Sequence, residues 1–535
     1  MSKELGDFQT PPSLVMAVLT SLSTGGKRWS RVLEPTCGRG NFIDGLLKLP
    51  EPPREIQAFE IQEVHLQVAR RIAEQAQSTR VVVRQANIFD LKLHKDVQWR
   101  ENGPLLVVGN PPWVTNAELG MLESDNLPRK ANIKGLRGID ARTGESNFDI
   151  AESIWLKLMQ ELAPEQPTIA LLCKTSVARN ILQFAFDARL PVTHAAIRII
   201  DAHKWFGIAA DACLFIVKIG PGERRYEAEV YPNLHAIEPD YLTGMVEKRF
   251  VANVGMYHQT AAIDGMCPIP WRQGLKHDAA SVMELTLNTS RKFSNKLGEM
   301  VVIEPEYVYP LLKSTDVFKG KTNDLKRAVI VTQQRLGEDT CKLQYAAPQL
   351  WHYLTSHAAV FSQRKSSIYE KQPLFALFGI GDYSFAPYKV GISGFHKTPK
   401  FRAIGPQDGK PVMLDDTCYF IPCPSALEAA FFASLLNDPL CLAFIDSIIF
   451  TDAKRPITKK LLQRIDLSAL FKRSEKPALI ARMRQELEKL GVDTAEENIV
   501  LPSLETVLMH CAQHINRANP FEDEAGAIKQ LSWIN

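Results

Sequence analysis

The sequence predicts an α/β protein built on a mostly parallel sheet covered on both faces, followed by a β-rich α+β region and a helical tail. Three observations carry this. Over roughly the first 220 residues, short apolar runs alternate with amphipathic stretches, the pattern of βαβ units. From about Tyr226 that alternation fades into shorter strand-like pieces with interleaved aromatics and glycines. After about Leu470 two helical stretches appear, "KPALIARMRQELEKLG" and "SLETVLMHCAQHINRA".

The elements follow in order. "SRVLEPTCGRGNFIDGLLKL" (Ser30–Leu49) reads as a strand, a glycine-containing turn and a helix. "EIQAFEIQ" (Glu55–Gln62) is a second strand ending in an acid, and "VHLQVARRIAEQAQ" an amphipathic helix with apolar residues three and four apart. "RVVVRQANIFD" gives a third strand and "PLLVVGN" a fourth. "NFDIAESIWLKLMQELA" is helical, and "PTIALLCK", "VTHAAIRIID" and "ACLFIVKIG" are further strands. In such sheets ligands gather at the carboxyl ends of the strands. The glycine turn, Glu60 and the string Asn110-Pro-Pro-Trp113 all fall there.

Length and composition set the bounds. With 535 residues the chain exceeds one ordinary core, so two or three domains are expected. Apolar residues at 45% and charged residues at 23% place it among globular proteins, away from disordered ones. A net charge of +3 is compatible with a nucleic-acid partner without arguing for one. No run of eighteen apolar residues suggests a membrane span, and "MSKELGDFQTPP" lacks a signal-peptide core. The nine cysteines are scattered, with no C-x-x-C pair and no clustered histidine. A disulfide framework and a metal site are therefore not expected, and a reducing cytoplasm is.

The residue types at the strand ends have a chemistry. Gly38 and Gly40 let backbone approach a ligand or adopt positive φ, and Glu34 can accept hydrogen bonds. The string E-P-x-C-G-x-G lacks the Lys and Ser/Thr of a phosphate loop. Glu60 lies about twenty residues on, where an acid binds a ribose diol in nucleoside-binding βαβ units. The Asn110 side chain and the Pro111 main chain each offer a carbonyl, so together they can accept both hydrogens of an exocyclic amine. Such an amine is a poor nucleophile because its lone pair is delocalised into the ring. Pulling on both N–H bonds stabilises the positive charge that develops on attack, without a strong base. Trp113 offers a flat face for stacking, and Pro112 holds ring and amide in register.

On these motifs the first 220 residues or so resemble gamma-class DNA amino-methyltransferases, a family of S-adenosylmethionine-dependent adenine-N6 enzymes. The order is "FQTPP" (Phe8–Pro12), "VLEPTCGRGNF" (Val32–Phe42), "AFEIQ" (Ala58–Gln62), then "NPPW" and a long C-terminal region. The resemblance implies a Rossmann-like class I methyltransferase domain. It assigns the methionine part of the cofactor to Thr10, Pro11, Glu34, Pro35, Cys37, Gly38 and Gly40, and the ribose to Glu60. The family's third strand usually ends in an Asp that accepts from the cofactor adenine. Here Asn87 holds that position, with Asp90 three residues later. Asn110, Pro111, Pro112 and Trp113 become the catalytic string, with Asn110 also touching the cofactor. Phe206, beside Trp205, becomes the second face of an aromatic sandwich with Trp113 around a base flipped out of duplex DNA. An Asn in the first position goes with adenine; a Ser tends to mark cytosine-N4.

The segment between Trp113 and Asn147 is polar and carries Lys130, Lys134 and Arg137 among its basic residues, expected to lie near phosphates. In the second half, Arg272, Lys276, Lys389, Lys397 and Lys400 stand among aromatics, a mixture suited to backbone and base contacts. These phrases resemble the recognition region of gamma-class enzymes. The expected division is a cofactor-binding catalytic domain at 1–245, a DNA target-recognition domain at 246–470 and a helical tail at 471–535. No nuclease core is found, since "PDYLTGMVEK" lacks the E-x-K form; a separate endonuclease or other defence-system subunit is the expected partner. An RNA or protein-glutamine methyltransferase, and a catalytically silent DNA-binding protein, stay open as alternatives.

Overall fold

The computed structural model describes residues 9–23, 27–114, 149–493 and 501–516. Lys130, Lys134 and Arg137 lie outside the described residues. The chain divides into two compact units, with the boundary between Gly255 and Met256.

The first unit is organised by a ten-stranded sheet. Its strands are β1 (Arg31–Glu34), β2 (Glu55–Glu60), β3 (Arg80–Gln85), β4 (Leu105–Gly109), β5 (Thr168–Lys174), β6 (Val192–Asp201), β7 (Asp211–Ile219), β8 (Glu227–Tyr231), β9 (Tyr241–Val246) and β10 (Arg249–Val251). The spatial order is β10-β9-β8-β6-β7-β5-β4-β1-β2-β3. Strands β3-β2-β1-β4-β5 pair in parallel, β7 runs antiparallel to both β5 and β6, and β6 pairs in parallel with β8. The sheet continues through Val251, past residue 245.

Period-two alternation explains the two covered faces. Val32, Leu106, Val108, Ala170, Leu172 and Leu214 share one core with Leu14, Val15 and Val18 of helix α1 (Pro12–Leu22) and with Phe42, Ile43 and Leu46 of α2 (Asn41–Leu47). Leu33, Val107, Ile169, Leu171 and Phe215 point the other way, into a core with Ile154, Trp155 and Leu158. Further helices are α3 (Glu63–Ala73), α4 (Leu93–Asp96), α5 (Ile150–Glu161), α6 (Thr175–Asp187) and α7 (Ala202–Phe206). Burial on both faces is why β4 reads as an unbroken apolar run. The chain builds outward from β1 to β3, then returns to place β4 on β1's other side. That reversal opens a crevice at the carboxyl ends of β1 and β4.

The second unit is α+β. One sheet has the order Arg272–Gln273, Cys418–Cys423, Tyr388–Ser393, Arg402–Ile404. A second, six-stranded sheet carries Glu284–Leu287, Arg327–Ile330 and Val308–Leu312 at its centre. The helix Lys476–Lys489 packs on the helix Ala426–Leu436 within this unit. Among the described residues no single helix is long and apolar enough to cross a membrane.

Candidate active site

The glycine turn is held from both sides. After Glu34 closes β1, the Cys37 N–H donates to Phe59 O at 2.8 Å and the Gly40 N–H to Cys37 O at 2.8 Å. Gly38 and Gly40 have φ of 52° and 83°, in the left-handed region that favours glycine. A Cβ at Gly40 would lie 3.1 Å from the Ala69 backbone, so this glycine serves the close approach of α2 to α3. The segment before α1 is laid over the turn: Gln9 Oε1 accepts the Arg39 N–H at 3.0 Å, and Thr10 O accepts from Asn41 Nδ2 at 2.7 Å.

Beside the turn, Glu60 accepts the Gly38 N–H at 2.8 Å on one oxygen and the Gln62 N–H at 2.7 Å on the other. Asn87 follows β3 and caps a short turn, its Oδ1 accepting the Phe89 N–H at 3.0 Å. That oxygen keeps a second lone pair. Glu34 is 1% exposed, and its Oε2 has no hydrogen-bond partner. Burial, then the charge of Glu60, pushes its carboxyl well above the usual range. Burial likewise pushes the Cys37 thiol up.

These groups open onto one cleft of about 890 Å³, counted out to its mouth. It brings together Thr10, Glu34, Pro35, Cys37, Gly38, Glu60, Asn87, Asn110 and Pro112. Asp90 is exposed and does not line it. Pro11, Gly40, Pro111, Trp113 and Phe206 also stand outside the lining. The cleft has a charge character: among the described residues it is lined by two carboxyl groups and no lysine or arginine. Ile61, Ile88, Phe89, Ile150 and Ile154 supply apolar wall.

The string after β4 is tied down at its far end. Trp113 is 7% exposed, and its Nε1 donates to Leu172 O at 3.2 Å. Val114 O accepts the Ile150 N–H at 3.0 Å, which fixes the chain to the start of α5. Asp149 caps that helix by accepting the Ala151 N–H at 3.0 Å, and its other oxygen bonds Lys174 Nζ, at the end of β5, at 2.8 Å. Sequence reasoning missed Asp149 and Lys174. An acid directly before an apolar helical run was the available sign of the cap. Trp113 and the half-buried Phe206 pack edge to face, centroids 5.3 Å apart and planes at 71°. The expected sandwich needs near-parallel rings with room for a third between them; in this conformation the two rings fill each other's space.

Among the second unit's expected basic residues, Lys389 is a correction. It is 1% exposed, and its Nζ donates to Ala386 O at 2.8 Å inside the core. Burial holds its ammonium down to about 7. A lysine so enclosed does not reach a phosphate. Lys389 pairs in register with Ile404 and Pro422, so its strand lies between two others. Arg272 is half-buried with its guanidinium 4.5 Å from the Tyr383 ring, and Lys276 lies 3.5 Å from Asp278. Lys397 and Lys400 are exposed. Lys400 sits 4.5 Å over the Phe318 ring, which stacks on His396 at 3.9 Å. All nine cysteines are free, and among the described residues no group of three His, Cys, Asp or Glu is set to hold a metal ion.

No family model matches the chain. Among solved structures it is similar to the Type IIL restriction-modification enzyme MmeI, solved in complex with DNA. That likeness has a TM-score of 0.52 and 11% identity, and covers 96% of this chain and 76% of that one. It supports the fold: a Rossmann-like sheet followed by further β-rich and helical structure. In sequence the chain is 36% identical over 470 residues to the Type II methyltransferase M.NspV from Nostoc sp., spanning 88% of this chain and 97% of the relative. A match of that depth, over nearly the whole of both proteins, shows that the chain belongs to the Type II methyltransferases.

Proposed function

We propose that this protein transfers a methyl group from S-adenosylmethionine to the N6 amine of an adenine flipped out of duplex DNA. The observation that carries the reading is the shared cleft: Asn110 and Pro112 line the same crevice as Glu34, Gly38 and Glu60. A nucleoside carrying a cation fits such a site. Two carboxyl groups, with no lysine or arginine among the described lining residues, favour a positive ligand over a phosphate-bearing one. The unpartnered Glu34 Oε2 suits a bound amino-acid portion, and Glu60 suits a ribose diol. Asn87 and the apolar wall suit an adenine ring. The DNA in the MmeI structure and the methyltransferase activity named for M.NspV support the substrate and reaction class.

S-adenosylmethionine, when bound, supplies an electrophilic methyl on a sulfonium. The chain's part is to grip and orient. Asn110 Oδ1 and the Pro111 carbonyl accept the two amine hydrogens and stabilise charge that develops on the nitrogen. The two prolines fix the direction of those carbonyls. Capture of the base between Trp113 and Phe206 requires Phe206 to leave its present edge-to-face contact. Lys397 and Lys400, exposed in the second unit, are proposed phosphate contacts, together with Arg272 and Lys276 nearer the bases. A division into catalytic, recognition and tail regions near 245 and 470 remains part of the proposal, and so does a separate restriction or defence partner.

The test is methyl transfer. Mixed-sequence duplex DNA is incubated with labelled S-adenosylmethionine and either the wild type or Asn110→Ala, then digested to nucleosides. N6-methyladenine from the wild type alone is expected. Label in N4-methylcytosine, or label entering RNA or protein in place of DNA, overturns the adenine assignment.

A further inference from the structure

We propose that Glu34 is a proton-releasing group of the cofactor site: neutral in the free cleft, it ionises against the cationic sulfonium–amino-acid end of the cofactor, and uptake expels about one proton. The inference rests on the cofactor reading above and adds a charge mechanism to it.

The two carboxylates of the cleft are unlike. Glu60 has a backbone N–H on each oxygen. Glu34 is buried at 1% exposure with Oε2 unbonded, although it lines the cleft. A carboxylate buried to this depth, with one oxygen lacking a donor, is disfavoured in its charged form, and a neighbouring carboxylate disfavours it further. Among the described residues, the surrounding elements bring no lysine or arginine to offset this. Strand β2 brings Glu60, the turn brings the Cys37 thiol and α3 brings His65. From β4 come Gly109 and Asn110, and from the segment before α1 come Gln9 and Thr10, none of them charged. Burial, then Glu34 and Glu60, keep the Cys37 thiol protonated. A cation entering the cleft therefore supplies the charge that Glu34 lacks. The O–H bond of Glu34 breaks, the proton passes to solvent and the carboxylate remains against the ligand.

Calorimetric titration of the full-length protein with S-adenosylmethionine, at about pH 7 in phosphate, HEPES and Tris, reads the proton directly. These buffers differ in ionisation heat, so a released proton makes the observed enthalpy depend on the buffer. The wild type is expected to release a proton at pH values below the raised Glu34 pKa, and there its affinity is expected to tighten as pH rises, by at most about tenfold per unit. Glu34→Gln is expected to lose the buffer dependence. Glu34→Asp, which keeps a carboxyl, and His65→Gln are expected to retain it. The cofactor's own α-ammonium is already mostly protonated at about pH 7, so it adds only a small uptake, opposite in sign to the release expected from Glu34. S-adenosylhomocysteine has no sulfonium but keeps the ammonium. Release with both ligands assigns Glu34 to the ammonium, and release with the methyl donor alone assigns it to the sulfonium; either supports the proposal. Buffer-independent heat in the wild type, or release that persists in Glu34→Gln, overturns it while leaving the cofactor site standing. Absence of any binding by the wild type removes both.

Discussion

Two regions, one in each compact unit, treat charge in opposite ways. In the first, carboxyl groups are drawn inward: Glu34 and Glu60 share a cleft with no lysine or arginine among its described lining residues. In the second, cations and aromatic rings are layered at the surface, as where Lys400 covers Phe318 on His396 and Arg455 covers Phe395 at 5.0 Å. The first arrangement suits a small cation, held where low dielectric strengthens each contact. The second suits a polyanion met in water, where stacking and charge act together and salt screens both. The lesson is that a modest net charge of +3 conceals two specialised environments of opposite sign.

The largest effect belongs to the cleft. Asn110→Ala removes one of two proposed acceptors for the target amine. Turnover is expected to fall about 10²–10³-fold, by analogy with deleting one preorganised transition-state contact. Cofactor affinity is expected to stay near wild type, and single-turnover transfer with parallel calorimetry separates the two. Phe206→Ala comes next. Losing one base-stacking face costs about 1–3 kcal/mol, so kcat/KM for DNA is expected to fall roughly 5- to 150-fold with cofactor binding intact. An unchanged kcat/KM would show that Phe206 never leaves its edge-to-face contact with Trp113 to meet a base.

The second unit supplies its own internal contrast. Lys389 is a cation turned inward, held down to about 7 by burial against an ordinary value of 10.5. Between those values the unfolded chain binds a proton that the fold does not. Unfolding then takes up a proton, and stability rises with pH by up to about 1.4 kcal/mol per unit. Below about pH 7 both states carry the proton and the slope vanishes. In Lys389→Met this contribution is expected to disappear. Urea midpoints of the two proteins from about pH 7.5 to 9.5, followed by tryptophan fluorescence, measure the difference. Lys397→Ala and Lys400→Ala are expected instead to leave stability alone. Each should lower the slope of log affinity for DNA against log salt by about one if its ammonium contacts a phosphate. Lys389→Met should leave that slope unchanged.

Much of the first unit was legible because its signals are local and its topology is restrictive. Continuous apolar runs mean strands buried on both faces, and the reversal between β1 and β4 brings every strand-end motif to one crevice. Glu34, Gly38, Glu60 and Asn110 therefore meet although 76 residues separate the first from the last. Lys389 was misread because strand periodicity tells which residues share a face but not which face is covered. The strand Tyr388–Ser393 lies between two others, with Lys389 directed into the core. Asp149 and Lys174 escaped notice because a bond between residues 25 positions apart leaves no sequence signal beyond the helix cap.

Trp113 tests whether the catalytic string and its support can be separated, and here the expected effect is smallest. The ring is nearly buried, and its Nε1 holds the carbonyl of Leu172 on β5. Trp113→Ala would remove ring, hydrogen bond and packing together, and about 3–5 kcal/mol of stability with them, so it cannot isolate stacking. Trp113→Phe keeps an aromatic face and loses the hydrogen bond, which costs about 1 kcal/mol. If Trp113 acts chiefly as a face for the base, Trp113→Phe is expected to retain kcat/KM within about fivefold, since the ring that stacks persists. If its main task is to pin the string to β5, the carbonyls of Asn110 and Pro111 lose their aim. Then kcat falls while KM for DNA holds, because misplacing the reacting groups slows the chemistry without weakening capture. The split between kcat and KM in this one variant therefore decides whether the aromatic ring after the two prolines grips the substrate or steadies the groups that do.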